Sequence, residues 1–450
     1  MARTLRLPGM SGTREWVYPQ SIDGFFMRLR RVAFLLLHVV LFGVPWITVH
    51  GHPLLQVDLP ARRVFLGGVI FTPSDTIFLA LLLFFLAFAL FFFTAIFGRI
   101  WCGYACPQTV FLESWIRPIE IWIEGDRTQR KRRDGKSVSF DWVWRRALKW
   151  LLFLVVSFLL AMAIMSIFAG ARPLWTGEAG RTTYFLVAIL TAVWYADFTW
   201  FREQFCIYLC PYARFQSALT DAETLLVSYD EPRGDPRDSK RGPEGGCIDC
   251  KKCVVVCPQG IDIRDGFQLE CIQCARCIDA CESVMSRFEQ PTLVRYSSMA
   301  KDEGAPKRRF RPRTVAYGSL MAGLVAAGIV LLMVRIPFEV TVNRAPGSLY
   351  TVDADGFVRN TFLLQITNNE AEIEQTLYGI RLEGLDGAQL IASPLLIGAE
   401  ETRTVPLVIR MPVEGLDRRT IPFRVIIESP ERELQIPTTF KTDAAVGGNR

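Results

Sequence analysis

The sequence predicts a polytopic α-helical membrane protein with a compact cysteine-rich insert and a C-terminal all-β domain. Three observations carry this. Five apolar stretches approach the roughly 20 residues that cross a bilayer. Eight of the twelve cysteines fall between Cys247 and Cys281. Beyond residue 336 the pattern changes to short alternating runs separated by turn residues. A chain of 450 residues that is 50% hydrophobic and 12% aromatic, with mean hydropathy +0.24, is too apolar for an ordinary soluble protein.

The expected spans are 32–49, 77–97, 150–168, 184–201 and 315–334, the fourth interrupted by Asp197. Basic residues cluster at Arg28, Arg30 and Arg31, through 127–136 with Arg145, Arg146 and Lys149, and through 307–313. The loops 51–76 and 169–183 carry two arginines each. By the positive-inside rule the N-terminus, the linker between the second and third spans and the 202–314 segment are cytoplasmic, and five crossings put the C-terminus outside. The net charge of +6 is accounted for by these loops beside anionic membrane lipid, so no nucleic acid is expected as a partner. Met1 to Tyr18 lacks the apolar core of a cleavable signal peptide.

The domains expected are a cytoplasmic segment 1–31, a four-helix membrane core 32–226, a cysteine-rich domain 227–300, a basic linker with the fifth helix 301–335, and the β domain 336–450. His38 is alone in the first span. His50 and His52 lie in a loop with little supporting chemistry. Three histidines in all do not supply a bis-histidine haem, and no haem is expected.

At the inner end of the second span stands Gly98-Arg99-Ile-Trp101-Cys102-Gly-Tyr104-Ala-Cys106-Pro107-Gln108, and at the inner end of the fourth Phe201-Arg202-Glu203-Gln204-Phe205-Cys206-Ile-Tyr208-Leu-Cys210-Pro211. An offset of 104 residues superposes Cys102 on Cys206, Cys106 on Cys210 and Pro107 on Pro211. If helical, each C-x3-C sets two thiols on one face, while the proline biases the second cysteine out of the helix. Four soft sulfurs at one membrane boundary suit Cu(I), zinc, a cluster or a redox dithiol. Asp197, an embedded acid, is placed to pair with Arg202 or to act in the membrane.

After a proline- and glycine-rich loop at 228–246, the pattern C-x2-C-x2-C-x3-C appears twice. Cys247, Cys250, Cys253 and Cys257 form the first run, with Pro258 after it. Cys271, Cys274, Cys277 and Cys281 form the second, followed by Glu282. In bacterial two-cluster ferredoxins three cysteines of a run wrap one 4Fe-4S cluster and the fourth ligates the other. Cluster 1 would therefore take Cys247, Cys250, Cys253 and Cys281, and cluster 2 would take Cys271, Cys274, Cys277 and Cys257. Zinc knuckles pair C-x2-C with C-x2-C or histidine and fit a third cysteine poorly. Disulfides are disfavoured on the cytoplasmic side. Beyond the fifth span, 338–342, 362–367, 403–410, 422–427 and 434–440 read as strands of a sandwich of about seven, without cysteine.

These segments, with Gly260-Ile-Asp-Ile-Arg-Asp-Gly266, resemble the FixG/RdxA/CcoG family of cytochrome c oxidase accessory proteins, which are membrane polyferredoxins. The resemblance implies an immunoglobulin-like C-terminal domain on the periplasmic side of the bacterial inner membrane. It also implies reduction of Cu(II) to Cu(I) on the cytoplasmic side, with copper passed to proteins that assemble cbb-type oxidase. Cys102, Cys106, Cys206 and Cys210 are then the candidate copper or redox thiols. A quinol-linked electron-transfer subunit and a non-enzymatic assembly scaffold stay open as alternatives. The sequence names no electron donor, and a homo-oligomer is compatible with it.

Overall fold

The computed structural model describes residues 16–49, 51–134, 139–238, 246–304, 311–336, 338–368, 375–392, 395–398, 401–413, 416, 418–430 and 432–442. It forms two compact units, one built from 1–47, 55–59 and 78–327, the other from 48–54, 60–77 and 328–450.

Among the described residues four helices are long and apolar enough to cross a membrane: Thr76–Phe97, Phe140–Ala169, Arg181–Phe201 and Pro312–Val334. They contain the second to fifth expected spans. Phe140–Ala169 starts earlier than its apolar core because the Ser139 side chain accepts from Trp142 N at 3.3 Å and caps it. Its first turns carry Arg145, Arg146 and Lys149, and Lys149 Nζ bonds Glu124 Oε1 at 2.6 Å. Thr76–Phe97 and Pro312–Val334 expose apolar side chains such as Leu83, Phe84, Ile329 and Val330, as helices surrounded by lipid do.

The first expected span differs from 32–49. Its helix is Phe25–Gly43, and Pro45 opens a short 3-10 turn at Val44–Trp46, so the last residues leave the helix. Arg28, Arg30 and Arg31 occupy its first half, which keeps it out of the four by composition. Its 19 residues still rise about 28 Å. Two bonds from Asp279 of the cysteine-rich domain hold its start, to Phe26 N at 3.1 Å and Met27 N at 2.8 Å. The ring of Trp46, just past its end, lies 6.3 Å from Trp175 beyond the far end of Phe140–Ala169. Its far end therefore lies beside the far end of Phe140–Ala169.

Around these helices Phe34, Phe111, Ile116, Phe153, Leu160 and Phe198 form one apolar core. The cysteine-rich domain is closed by an antiparallel pair, Leu226–Tyr229 with Val294–Ser297, over a core of Val227, Ile263, Ile278, Met285, Leu293 and Val294.

The C-terminal domain is an all-β sandwich. One sheet has the order Gln389–Ile391, Thr402–Pro412, Phe357–Asn368, Phe338–Arg344, and the other Leu395–Gly398, Gln375–Glu383, Thr420–Glu428, Glu433–Lys441. Alternation along Phe357–Asn368 sends Val358, Asn360, Phe362, Leu364 and Ile366 inward. Buried Asn360 ties the layers: its Nδ2 donates to Lys441 O at 2.7 Å, and its Oδ1 accepts from Lys441 N at 2.8 Å and from Arg344 Nη1 at 2.7 Å.

Candidate functional site

The cysteine-rich domain carries its own repeat in the backbone. Asp249 and Lys251 have φ of 48° and 55°, and Gln273 and Ala275, at the same positions of the second run, 54° and 59°. The left-handed region costs a non-glycine residue about 1 kcal/mol or more. Four such residues in two matched pairs give both runs the same left-handed bends, the kind of turn from which anion-receiving concavities for groups such as iron-sulfur clusters are built.

Each repeat faces a cavity. Cys247, Cys250, Cys253 and Cys281 line one, and Cys257, Cys271, Cys274 and Cys277 line another. Cys253 touches both, so the two share a wall. Cys250 is exposed whereas Cys274 is buried. Burial pushes the Cys253 and Cys271 thiols up to about 12 and Cys257 to about 11, with neighbouring thiols adding to the effect. Only a bound cationic group would keep such thiols ionised. The Cys281 sulfur already accepts from Leu293 N at 3.4 Å.

Among the described residues no three His, Cys, Asp or Glu side chains could hold one metal ion. A cubane spreads its four thiolates over four irons, so its ligands stand further apart than those of a single zinc. The donor set, the paired cavities and the matched left-handed bends fit two 4Fe-4S clusters, with each set of four cysteines as its holder.

The C-x3-C segments match each other just as closely. Gly98 and Arg202, at the 104-residue offset, both take positive φ, 58° and 54°. Cys106 N bonds Trp101 O and Cys210 N bonds Phe205 O, each at 2.9 Å across a wide turn. Cys106 and Cys210 are extended, with ψ of 126° and 111°, and precede the helices Pro107–Phe111 and Pro211–Leu219. The proline effect therefore operates in both copies, but the expectation of two thiols on one helical face is corrected. Cys102 lies in the short helix Ile100–Tyr104 and Cys106 outside it, while Cys206 lies in a π-type turn, Phe205–Leu209.

The repeat nonetheless brings the four sulfurs within electrostatic reach of one another, although no three of them are placed to hold a single metal ion. Burial raises the Cys206 thiol, and Cys106, Cys102 and Cys210 raise it further. Burial likewise pushes Cys102 up to about 12, against the pull of Arg99. Burial raises Cys106 too, opposed by the N–H groups of Thr109 and Gln108. The Cys102 thiol donates to Gln216 Oε1 at 3.0 Å.

The second cysteine run, rather than the first, meets this group. Cys102, Ile272 and Cys274 pack as one buried cluster with Tyr212 against it. Gly103 makes the approach possible, since a Cβ there would sit 2.6 Å from Ile272 O and 3.0 Å from Cys274 N. Arg30 Nε donates to Gly103 O at 2.9 Å, and Arg117 Nη2 to Pro258 O at 3.2 Å. Arg276, between Cys274 and Cys277, donates to Glu113 Oε2 at 2.7 Å and to Gln20 O at 2.6 Å. Burial would raise the Glu113 carboxyl, but Arg276, Arg117 and Arg30 outweigh it and hold it down at about 2.

Sequence reasoning did not single out Glu113, Arg276 or Asp279. The signal available for Arg276 was its place inside a cysteine run. Arg202 turns to Glu120, with Nη1–Oε1 at 2.6 Å and Nη2–Oε2 at 2.9 Å, so its expected pairing with Asp197 is corrected. Both Asp197 oxygens are buried without a hydrogen-bond partner among the described residues. His38 Nε2 accepts from Trp115 Nε1 at 2.6 Å and its Nδ1 meets Phe34 O at 2.6 Å, which uses both ring nitrogens. His52 stacks on Phe65 at 5.4 Å. Its expected companion His50 lies outside the described residues.

Family models match three parts of the chain. A 4Fe-4S binding domain matches residues 78–127, a 4Fe-4S dicluster domain 201–299, and the IG-like fold found at the C-terminus of FixG 328–443. Among curated proteins, RdxB of Cereibacter sphaeroides is 37% identical over 419 residues, covering 87% of this chain and 88% of the relative. RdxA of the same organism is 36% identical over 383 residues, with coverage of 80% and 81%. Nitrogen fixation protein FixG of Rhizobium meliloti is 30% identical over 451 residues, with coverage of 88% and 86%. A crystal structure of a FixG-related protein from Vibrio parahaemolyticus matches 24% of this chain and 98% of its own, at 16% identity and a TM-score of 0.22.

Proposed function

This chain belongs to the FixG/RdxA family, and from that premise we propose that it reduces Cu(II) to Cu(I) at the cytoplasmic face of the bacterial inner membrane. It is an iron-sulfur electron-transfer protein with membrane-spanning helices. The single observation that carries the proposal is the packing of Cys102 against Ile272 and Cys274. This sets Cys102, one of the four C-x3-C thiols, directly on the loop of the second cysteine run.

When bound, two iron-sulfur clusters supply single electrons, and one electron is what Cu(II) needs to become Cu(I). The residues of the chain do the rest. The left-handed bends at Asp249, Lys251, Gln273 and Ala275 shape each run around negative charge. Thiols among Cys102, Cys106, Cys206 and Cys210 close on copper as it arrives as substrate, because soft thiolates select Cu(I). Exposed Cys250 gives a soluble electron donor its point of approach at the first cavity. Copper-handling proteins and cbb-type oxidase assembly factors are the proposed recipients. The periplasmic β domain serves as a docking element.

The test is anaerobic reduction of the full-length protein, addition of Cu(II), and capture of Cu(I) by a chromogenic chelator. The unaltered protein reduces copper. Serine at all four of Cys102, Cys106, Cys206 and Cys210 abolishes it while iron content is kept. Full copper reduction by the fourfold variant would show that the thiols are not the site.

A further inference from the structure

Arg99 stands at the seam between the two thiol groups. It follows Gly98, whose φ of 58° turns the chain out of the Thr76–Phe97 helix, and it is only 4% exposed. Its Nη1 donates to the backbone carbonyl of Leu269, just ahead of Cys271. Its own carbonyl accepts from Cys102 N at 3.0 Å. Its buried Nε has no hydrogen-bond partner among the described residues. A buried guanidinium with an unsatisfied donor is costly unless an anion completes its surroundings.

The buried carboxylates nearby are engaged elsewhere, Glu113 with Arg117 and Arg276, and Glu120 with Arg130 and Arg202. Arg99 is instead tied to both thiol groups, through its own carbonyl to Cys102 N on one side and through Leu269 O, two residues before Cys271, on the other. One fixed positive charge thus faces both places where negative charge accumulates.

We propose that Arg99 is the positioning residue that couples the second ferredoxin-like cysteine run to the C-x3-C thiols, its charge balancing the unit of negative charge that one-electron reduction adds there. The inference rests on the iron-sulfur reading and deepens it. It does not depend on copper being the substrate.

Arg99→Gln keeps a donor for Leu269 O and removes the charge, whereas Arg99→Lys keeps the charge. Both are made in the full-length protein, purified anaerobically without copper, and followed by redox titration with EPR detection. The first cluster's signal is identified by its loss in Cys250→Ser. In Arg99→Gln the second cluster becomes harder to reduce by about tenfold, or about 59 mV for a one-electron couple. The first cluster stays in place, and Arg99→Lys stays near the unaltered protein.

No shift in Arg99→Gln, an equal shift of both clusters, or an equal shift in Arg99→Lys overturns the proposal. So does loss of iron from both variants, which marks a residue needed only for folding. Loss of iron from Arg99→Gln alone, with Arg99→Lys loaded and unshifted, upholds it, because charge is then what the site requires. Failure of the unaltered protein to reduce Cu(II) would sink the copper reading and leave these outcomes unaffected.

Discussion

Glu120 is 1% exposed and accepts from Arg202 at two oxygens, with Arg130 Nη2 2.7 Å from Oε2. Burial alone would raise its carboxyl, yet Arg202 and Arg130 hold it at about 2 against an ordinary 4.5. A folded-state value below the unfolded one stabilises the protein above the unfolded value, and that stability is lost as pH falls through the folded value. The shift corresponds to about 3 kcal/mol at about 1.4 kcal/mol per unit. Glu120→Gln, which leaves two buried arginines short of a charge, is expected to cost about 3–5 kcal/mol at pH 7. The difference from the unaltered protein should shrink between pH 4.5 and about 2. Denaturant titration of tryptophan fluorescence across that range checks it, and a pH-independent difference would contradict the charge argument. The eight ferredoxin-like cysteines were legible because their chemistry is local in sequence. Glu120 was not, because its partners stand 10 and 82 residues away, and nothing in a lone glutamate announces them.

At the scale of elements, the C-x3-C repeat was legible from two prolines and matched spacings. Its true geometry was not, because the wide turns at Cys106 and Cys210 depend on positive φ at Gly98 and Arg202. An arginine gives no warning of that conformation. The docking of the second cysteine run on Gly103 was equally hidden, since a glycine inside a helix-like motif reads as a weak helix former. Gly103→Ala forces a Cβ onto backbone that cannot swing aside. It should cost about 1–3 kcal/mol and alter the second cluster's EPR signal while sparing the first. Gly43→Ala, at the end of Phe25–Gly43 with open space around its Cβ, is the control. It should be neutral or stabilising by up to about 1 kcal/mol. Equal effects of the two would show that the close approach of Gly103 has no energetic weight.

For the whole molecule, the proposed topology turns on the helix Phe25–Gly43. Composition counts four crossing helices, which would return both ends to one side. Its bonds to Asp279 at one end and its Trp46–Trp175 contact at the other argue for a fifth crossing. Its apolar second half reads as a span from the sequence, and three arginines in its first half are what exclude it from the composition count; Arg30 is buried on Gly103 O. Alkaline phosphatase fused after Thr442 should be active, as an enzyme that needs the periplasm, and inactive when fused after Ser297. Activity in the reverse order would contradict five crossings. The sandwich was legible from alternation alone, because a strand buried on one face writes a period of two into the sequence. Its cross-layer Asn360 was not, because a buried asparagine looks like a turn residue until its partners are known.

The central claim is that two sets of four cysteines, each borrowing its fourth member from the other run, hold two clusters. Iron and acid-labile sulfide analysis of the anaerobically purified full-length chain, with EPR of the reduced protein, tests it most directly. The account predicts about eight irons per chain and two interacting reduced-cluster signals, falling to about four irons and one signal in Cys281→Ser. About four irons in the unaltered protein would contradict it.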